Sequence, residues 1–167
     1  DTQLPFPGQI AITNCQEVES AFHARFNAKQ RIYKYLIVNR GAHLTLDGYR
    51  AWQIPEKLDV AAMNDVAQIF VGNHDFSSFR AAECQASSPI KTVDEIYVVS
   101  EGQQIMIVVK AKSFLHHMVR NLVGTLKLVG TGKLTKDNIQ TILEAKDRNQ
   151  AGATAPACGL YFVSTIY

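Results

Sequence analysis

The run Val93-Asp94-Glu95-Ile96-Tyr97-Val98-Val99-Ser100-Glu101-Gly102-Gln103-Gln104-Ile105-Met106-Ile107-Val108-Val109-Lys110-Ala111 decides the fold. Val93 to Ser100 and Gln103 to Ala111 are rich in β-branched residues and read as two strands, with Glu101-Gly102 as the turn of a hairpin. Just beyond it, Ser113 can cap a helix over Phe114 to Val129 that stops at Gly130. At about 100° per residue, Leu115, Met118, Val119, Leu122, Leu126 and Val129 fall on one half of that helix, and His116, His117, Arg120, Gly124 and Lys127 on the other. The helix therefore has a core face and a basic face. Working outward, Arg31 to Val38 and Leu160 to Ile166 read as further strands. Asp59 can cap a helix over Val60 to Val71, and Thr135 another through about Ala145. Strands in a hairpin interspersed with helices predict an α+β fold, a mostly antiparallel sheet backed by helices. No repeat or Pro/Gly/Ser linker divides residues 1–167, which are read as a single domain.

The chain has 167 residues, 47% apolar and 19% charged. That length buries roughly two thirds of the unfolded surface and excludes disorder and fibres. The longest apolar runs are strand-sized, far below the roughly 18 to 20 residues of a membrane-spanning helix, so no membrane is expected. Leu4-Pro5-Phe6-Pro7 has neither a basic region nor a long apolar one, so no secretory signal is visible. Cys15, Cys84 and Cys158 are odd in number, far apart and without a C-x-x-C pair, which disfavours disulfides and a cysteine zinc site and favours a cytoplasmic location.

A net charge of +2 hides a strong segregation. Ser20 to Leu46 holds five Lys or Arg and no acid, and Gly102 to Lys136 holds six and again no acid, out of 17 bases and 15 acids in the chain. Such segregation gives a nearly neutral chain a positive face for a polyanion, and a nucleic acid is the expected partner.

Several residues in these stretches can carry chemistry. Arg120 is either a solvated surface cation or a guanidinium pairing with a carboxylate or phosphate in a cleft, and Gly124, one turn on, removes a side chain so that a partner can approach. Tyr33 and Tyr35 share one strand face among cations, where a ring can stack on a base; one of the two is expected to pack in the core. Adjacent His116 and His117 suit cation or phosphate contact better than a metal, and no metal site is expected. Asp75, in His74-Asp75-Phe76-Ser77-Ser78-Phe79-Arg80, is expected to accept hydrogen bonds from following backbone N–H groups. No G-x-S-x-G, H-E-x-x-H, Walker or RRM signature is present, and Gly152 to Gly159 lacks the lysine of a phosphate loop.

Phe22-His23-Ala24-Arg25-Phe26, Arg31-Ile32-Tyr33-Lys34-Tyr35, His74 to Arg80, Ser113-Phe114-Leu115-His116-His117-Met118-Val119-Arg120-Asn121-Leu122-Val123-Gly124 and Ala155-Pro156-Ala157-Cys158-Gly159-Leu160-Tyr161 resemble, in order, consecutive blocks of the bacterial tRNA pseudouridine synthase A family. The resemblance runs from about Leu4 to the end. Asn27 departs from the family's usual serine. The arginine-threonine-aspartate-alanine-glycine-valine block that holds the family's catalytic aspartate has no counterpart here, and Asp1-Thr2 is not it. The sequence thus resembles a C-terminal portion of such a synthase, the C-terminal half of the pseudouridine synthase fold.

The resemblance implies an isomerase that converts uridine to pseudouridine at positions 38 to 40 of the tRNA anticodon arm, with no metal, nucleotide or redox cofactor, acting as a homodimer. The missing aspartate would attack a flipped nucleotide at C6 of the base or C1′ of the ribose. By resemblance, Tyr33 is the active-site tyrosine that stacks on the uracil and helps with the proton leaving C5. Arg120 is the arginine that pairs with the aspartate, and Leu160 lines the uracil pocket. His23, Arg25, Lys29, Arg80, Lys110, Lys112, His116 and His117 are the candidates for backbone contact. The 167 residues alone are expected to be inactive; the alternative is a non-catalytic RNA-binding α+β domain.

Overall fold

The computed structural model describes residues 10–46 and 48–167. The stretch Leu4 to Pro7 lies outside the described residues, as does the start of the family resemblance. The chain forms β1 (Gln30–Asn39), β2 (Trp52–Ile54), α1 (Val60–Ala67), β3 (Gly72–Asp75), β4 (Ile90–Glu101), β5 (Gln104–Ala111), α2 (Met118–Gly130), α3 (Lys136–Ala145) and β6 (Leu160–Ile166). The class is α+β, with a six-stranded sheet in the order β2-β1-β5-β4-β3 and β6 also paired with β1. Every pairing is antiparallel except β1 with β2.

Register explains the layering. Tyr33, Tyr35 and Ile37 of β1 stand opposite Val109, Ile107 and Ile105 of β5, and Val109 and Ile107 in turn stand opposite Ile96 and Val98 of β4. Successive strand residues point to opposite faces, so these apolar side chains form one face, and the helices cover it. α1 packs on β4 and on α2, while α2 reaches β1. Met118, Leu122 and Leu126 of α2 are fully buried there, as are Ile105, Ile107 and Met63 within a few per cent. Each such side chain contributes about 1.5–3 kcal/mol when removed from water.

Two helix boundaries differ from those read in the sequence. Asp59 does cap α1, its Oδ1 accepting from the Ala62 N–H at 2.9 Å, but the helix ends at Ala67 and tightens into a 3-10 turn over Gln68–Phe70. More consequentially, α2 begins at Met118 rather than Phe114, and Ser113 is not its cap. His117 takes a left-handed conformation (φ 60°), which no continuing helix admits. The loop after β3 holds the turn in place: the His116 N–H donates to Cys84 Sγ at 3.3 Å, and the His116 carbonyl accepts from the Ala81 N–H at 3.2 Å. Leu115 still reaches the core from this turn, which is why the apolar periodicity ran four residues too far. β2 and β3, three and four residues long, are too short to leave an alternating pattern in the sequence.

Candidate active site

Four segments, three regular elements and one turn, meet around one cleft. β1 supplies Tyr33, the turn before α2 supplies Phe114, His116 and His117, α2 itself supplies Arg120, and β6 opens with Leu160. Together they line a cleft of about 300 Å³. Tyr33 sits where the β1–β6 register shifts, between Ile32 and Tyr33, and its ring is held edge-on by Phe114 (centroids 5.1 Å apart, 86°) and Phe162 (5.3 Å, 63°). Such pairs fix a ring and contribute about 0.5–1.5 kcal/mol each. Tyr35, on the same face, is fully buried and belongs to the core.

Arg120 is aimed by the loop that precedes β6. Its Nε–H donates to the Ala155 carbonyl at 2.6 Å, and the Ala155 N–H donates back to the Arg120 carbonyl at 3.2 Å. No carboxylate among the described residues pairs with this guanidinium, and its terminal amino groups have no hydrogen-bond acceptor among them. Gly124 does not leave room for an outside partner, as the sequence suggested. The chain's own loop fills that room: a Cβ on Gly124 would lie 1.8 Å from the Ala153 carbonyl oxygen, and one on Gly152 would lie 2.7 Å from the Gly124 carbonyl.

Beside the cleft, and sharing Tyr33 and Phe114 with it, is a second recess of about 460 Å³ lined by Arg25, Arg31 and Lys112. Arg31 donates to the carbonyls of Lys112 and Arg25, tying the two segments together across the recess. Arg25 and Lys112 themselves are exposed. His116 and His117 stack with ring centroids 4.0 Å apart in the turn, so they do not project from a helix face. Burial, then the neighbouring His116 and Arg120, hold His117 below the ordinary histidine value against an opposing pull from Glu83.

The other sequence candidates lie elsewhere. Lys110 pairs in register with Ile32 and so points away from Tyr33, on the opposite face of the sheet, where it meets Glu95 at 2.5 Å. The Arg80 guanidinium donates to the carbonyls of Cys84 and Ala86 and braces the loop that holds His116. His23 stacks on Phe26 with centroids 4.3 Å apart, and its Nδ1 accepts from the Arg25 N–H. Lys29 is exposed just before β1, its N–H bonded to the Ile166 carbonyl. Asp75 accepts from the Ser77 N–H at 3.0 Å, in the local turn the sequence indicated, and from the Ser77 hydroxyl at 2.6 Å. Burial acts to raise its carboxyl, but hydrogen bonds from Ser77 and Lys146 outweigh it and leave the group below the usual range. Among the described residues no cluster of three His, Cys, Asp or Glu side chains could hold a metal, and no helix is long and apolar enough to cross a membrane.

A network around the Arg120 loop went unnoticed in the sequence. Asn121, with no exposed surface, donates to the Phe79 carbonyl and accepts from Thr154 and Arg148, while Thr125 accepts from the Gly152 N–H. The available signal was the pair Asn121 and Thr125, one turn apart, the two buried polar side chains of α2.

A cleft that joins a braced phenol to a guanidinium without a partner, next to a cation-lined recess, suits a planar ring carried on a phosphate backbone. Comparison with known proteins narrows that class. The tRNA pseudouridine synthase family model matches residues 66–167. The tRNA pseudouridine synthase A of Paramagnetospirillum magneticum is 52% identical over 161 residues, 96% of this chain and 63% of that protein. Those of Rhodospirillum rubrum and Xanthobacter autotrophicus are 53% and 49% identical over 94% and 96% of the chain, and 56% and 66% of their own lengths. The chain belongs to the tRNA pseudouridine synthase family, and it spans about 56–66% of the length of these relatives.

Proposed function

We propose that these residues form one wall of the active cleft of a tRNA pseudouridine synthase that acts on uridine at positions 38 to 40 of the anticodon arm. The observation that carries the reading is the meeting of Tyr33, Arg120 and Leu160 in one cleft, with Arg120 lacking a carboxylate partner among the described residues. In this reading the nucleophilic aspartate stands on sequence outside these 167 residues and pairs with the terminal amino groups of Arg120, which keep it ionised and oriented. The flipped uracil lies against Tyr33 and Leu160. Flipping costs a few kcal/mol, which stacking and cationic backbone contacts offset.

The reaction is an isomerisation. The N1–C1′ bond breaks, a C5–C1′ bond forms, a proton leaves C5 and N1 gains one, so no cofactor enters the balance. Tyr33 is the group placed to take part in the C5 proton transfer. Arg25 and Lys112, in the adjoining recess, and His116, at the cleft mouth, are the backbone contacts that the geometry favours; Lys110 and Arg80 are committed to partners within the fold. The working form is a homodimer in the cytoplasm.

The test uses the full-length protein that carries this sequence and a tRNA labelled with tritium at uridine C5, whose release reports turnover. Arg120→Ala is expected to slow release by on the order of 10²–10³-fold while tRNA affinity changes only slightly. Equal losses in rate and affinity would remove Arg120 from the chemistry. The 167 residues alone are expected to release no tritium.

A further inference from the structure

We propose that Thr154 and Arg148 are positioning residues that set the direction of the Arg120 guanidinium through the backbone of Ala155. The proposal rests on the functional reading above for its kinetic consequence, though not for its geometry. The segment from Arg148 to Ala155 has only one short 3-10 turn, over Arg148–Gln150, so its shape is set by what it bonds to. Beyond bonds within the segment and to Asp147, its hydrogen bonds run to α2. Thr154 donates from its hydroxyl to Asn121 Oδ1 at 2.7 Å and accepts from Arg148 Nη2 at 3.1 Å. The same Nη2 reaches Asn121 Oδ1 at 3.1 Å, and Nη1 reaches the Ala151 carbonyl at 3.3 Å. Thr125 accepts from the Gly152 N–H at 3.0 Å.

One residue beyond Thr154, Ala155 exchanges two hydrogen bonds with Arg120. Nε carries a single hydrogen, so once it is given to the Ala155 carbonyl the plane of the guanidinium is fixed and its other edge is presented to the cleft. Any movement of Ala155 is therefore passed directly to the terminal amino groups. Arg148 is part-buried, and all its acceptors are neutral oxygens; no carboxylate among the described residues meets it. A cation placed among neutral acceptors is a poor way to gain stability. It is a good way to hold three acceptors, on helix and loop, in one plane.

Thr154→Val removes the shared hydroxyl and keeps the shape, and Thr154 is exposed, so the fold tolerates the change. In the full-length protein this variant is expected to lose about tenfold in kcat, since a small misplacement of a reacting group is enough for that, with KM for tRNA and the unfolding midpoint nearly unchanged. Thr154→Ser is expected to restore the rate. Arg148→Lys, which cannot reach all three acceptors, should behave like Thr154→Val. A direct reading comes from ¹⁵N-arginine spectra of the same variants: the Arg120 Nε–H should exchange slowly with water in the parent and in Thr154→Ser, and faster in Thr154→Val. A full kcat and an unchanged Nε–H in both Thr154→Val and Arg148→Lys would overturn the proposal, as would a kcat loss that only tracks lost tRNA binding or lost stability. A parent protein that makes no pseudouridine would defeat the functional reading instead, and the exchange measurement would still decide the positioning.

Discussion

Tyr33 and Tyr35 leave β1 on the same face, two residues apart, and enter different surroundings. Tyr35 has no exposed surface, gives its hydroxyl to the Pro156 carbonyl at 2.7 Å and meets Trp52 edge-on at 6.3 Å. Burial drives its phenol well above the usual value, the nearby Cys158 adds to this, and Arg120 only partly opposes it. Tyr33 is partly exposed, braced at two edges, and its hydroxyl has no partner among the described residues. What separates them is the cover. α2 starts at Met118, and beyond its first turn the strand is covered by the bent segment 113–117, which leaves a cleft where a longer helix would have continued. The late helix start, held by the bonds of His116 to the 81–84 loop, separates the cleft-lining end of β1 from the end buried in the core.

The sharpest way to break this contrast is to truncate both rings. Tyr35→Ala should lower unfolding free energy by about 3–5 kcal/mol, the range for a fully buried aromatic. Tyr33→Ala should lower it by less, about 1–3 kcal/mol, the sum of two edge contacts. Urea unfolding of the two variants checks this, and equal losses would mean that the rings share one environment. In the full-length protein the order should reverse for turnover per folded molecule.

A second, smaller effect tests whether the loop that aims Arg120 depends on its close approach to α2. Gly124→Ala puts a methyl into the Ala153 carbonyl, and overpacking of this kind costs about 1–3 kcal/mol. The strain should be released by lifting the 148–155 segment, so limited proteolysis should nick it there before any other site in the helices or strands. Cleavage at an unchanged rate would show that the loop is held without the glycine contact.

These cases also show what the sequence could and could not reveal. The hairpin, the α2 core stripe and the strand at Arg31 to Val38 were legible because burial imposes a period of two or of about 3.6 on side chains, and those periods survive in one dimension. The meeting of Tyr33 with Arg120 and Leu160 was reached through family resemblance, because they are separated by long stretches of chain and no local rule links them. The 113–117 turn was misread since Leu115 is buried on schedule, although its backbone is not helical. The Arg148–Thr154–Asn121 network was invisible for a different reason. Hydrogen bonds between a loop and a helix 27 to 33 residues away leave no periodic trace.

The smallest effect concerns His117, the residue whose left-handed backbone starts α2 late. Its folded value lies below the ordinary 6.5, from burial first and then from His116 and Arg120, with Glu83 opposing. As pH falls, the unfolded chain therefore takes up its proton before the folded one does. Stability is intact above the unfolded value and is lost as pH drops through 6.5 toward the lower folded value. His117→Asn keeps a side chain that tolerates positive φ and removes the titration. Between about pH 7.5 and pH 5.5 the parent should lose more stability than His117→Asn, while above about pH 7.5 the gap between them should stay constant. Unfolding midpoints in urea across that range provide the measurement. Parallel curves would mean that the imidazole is as well solvated in the fold as in the open chain, and that the turn capping the cleft is less closed than its stacked histidines indicate.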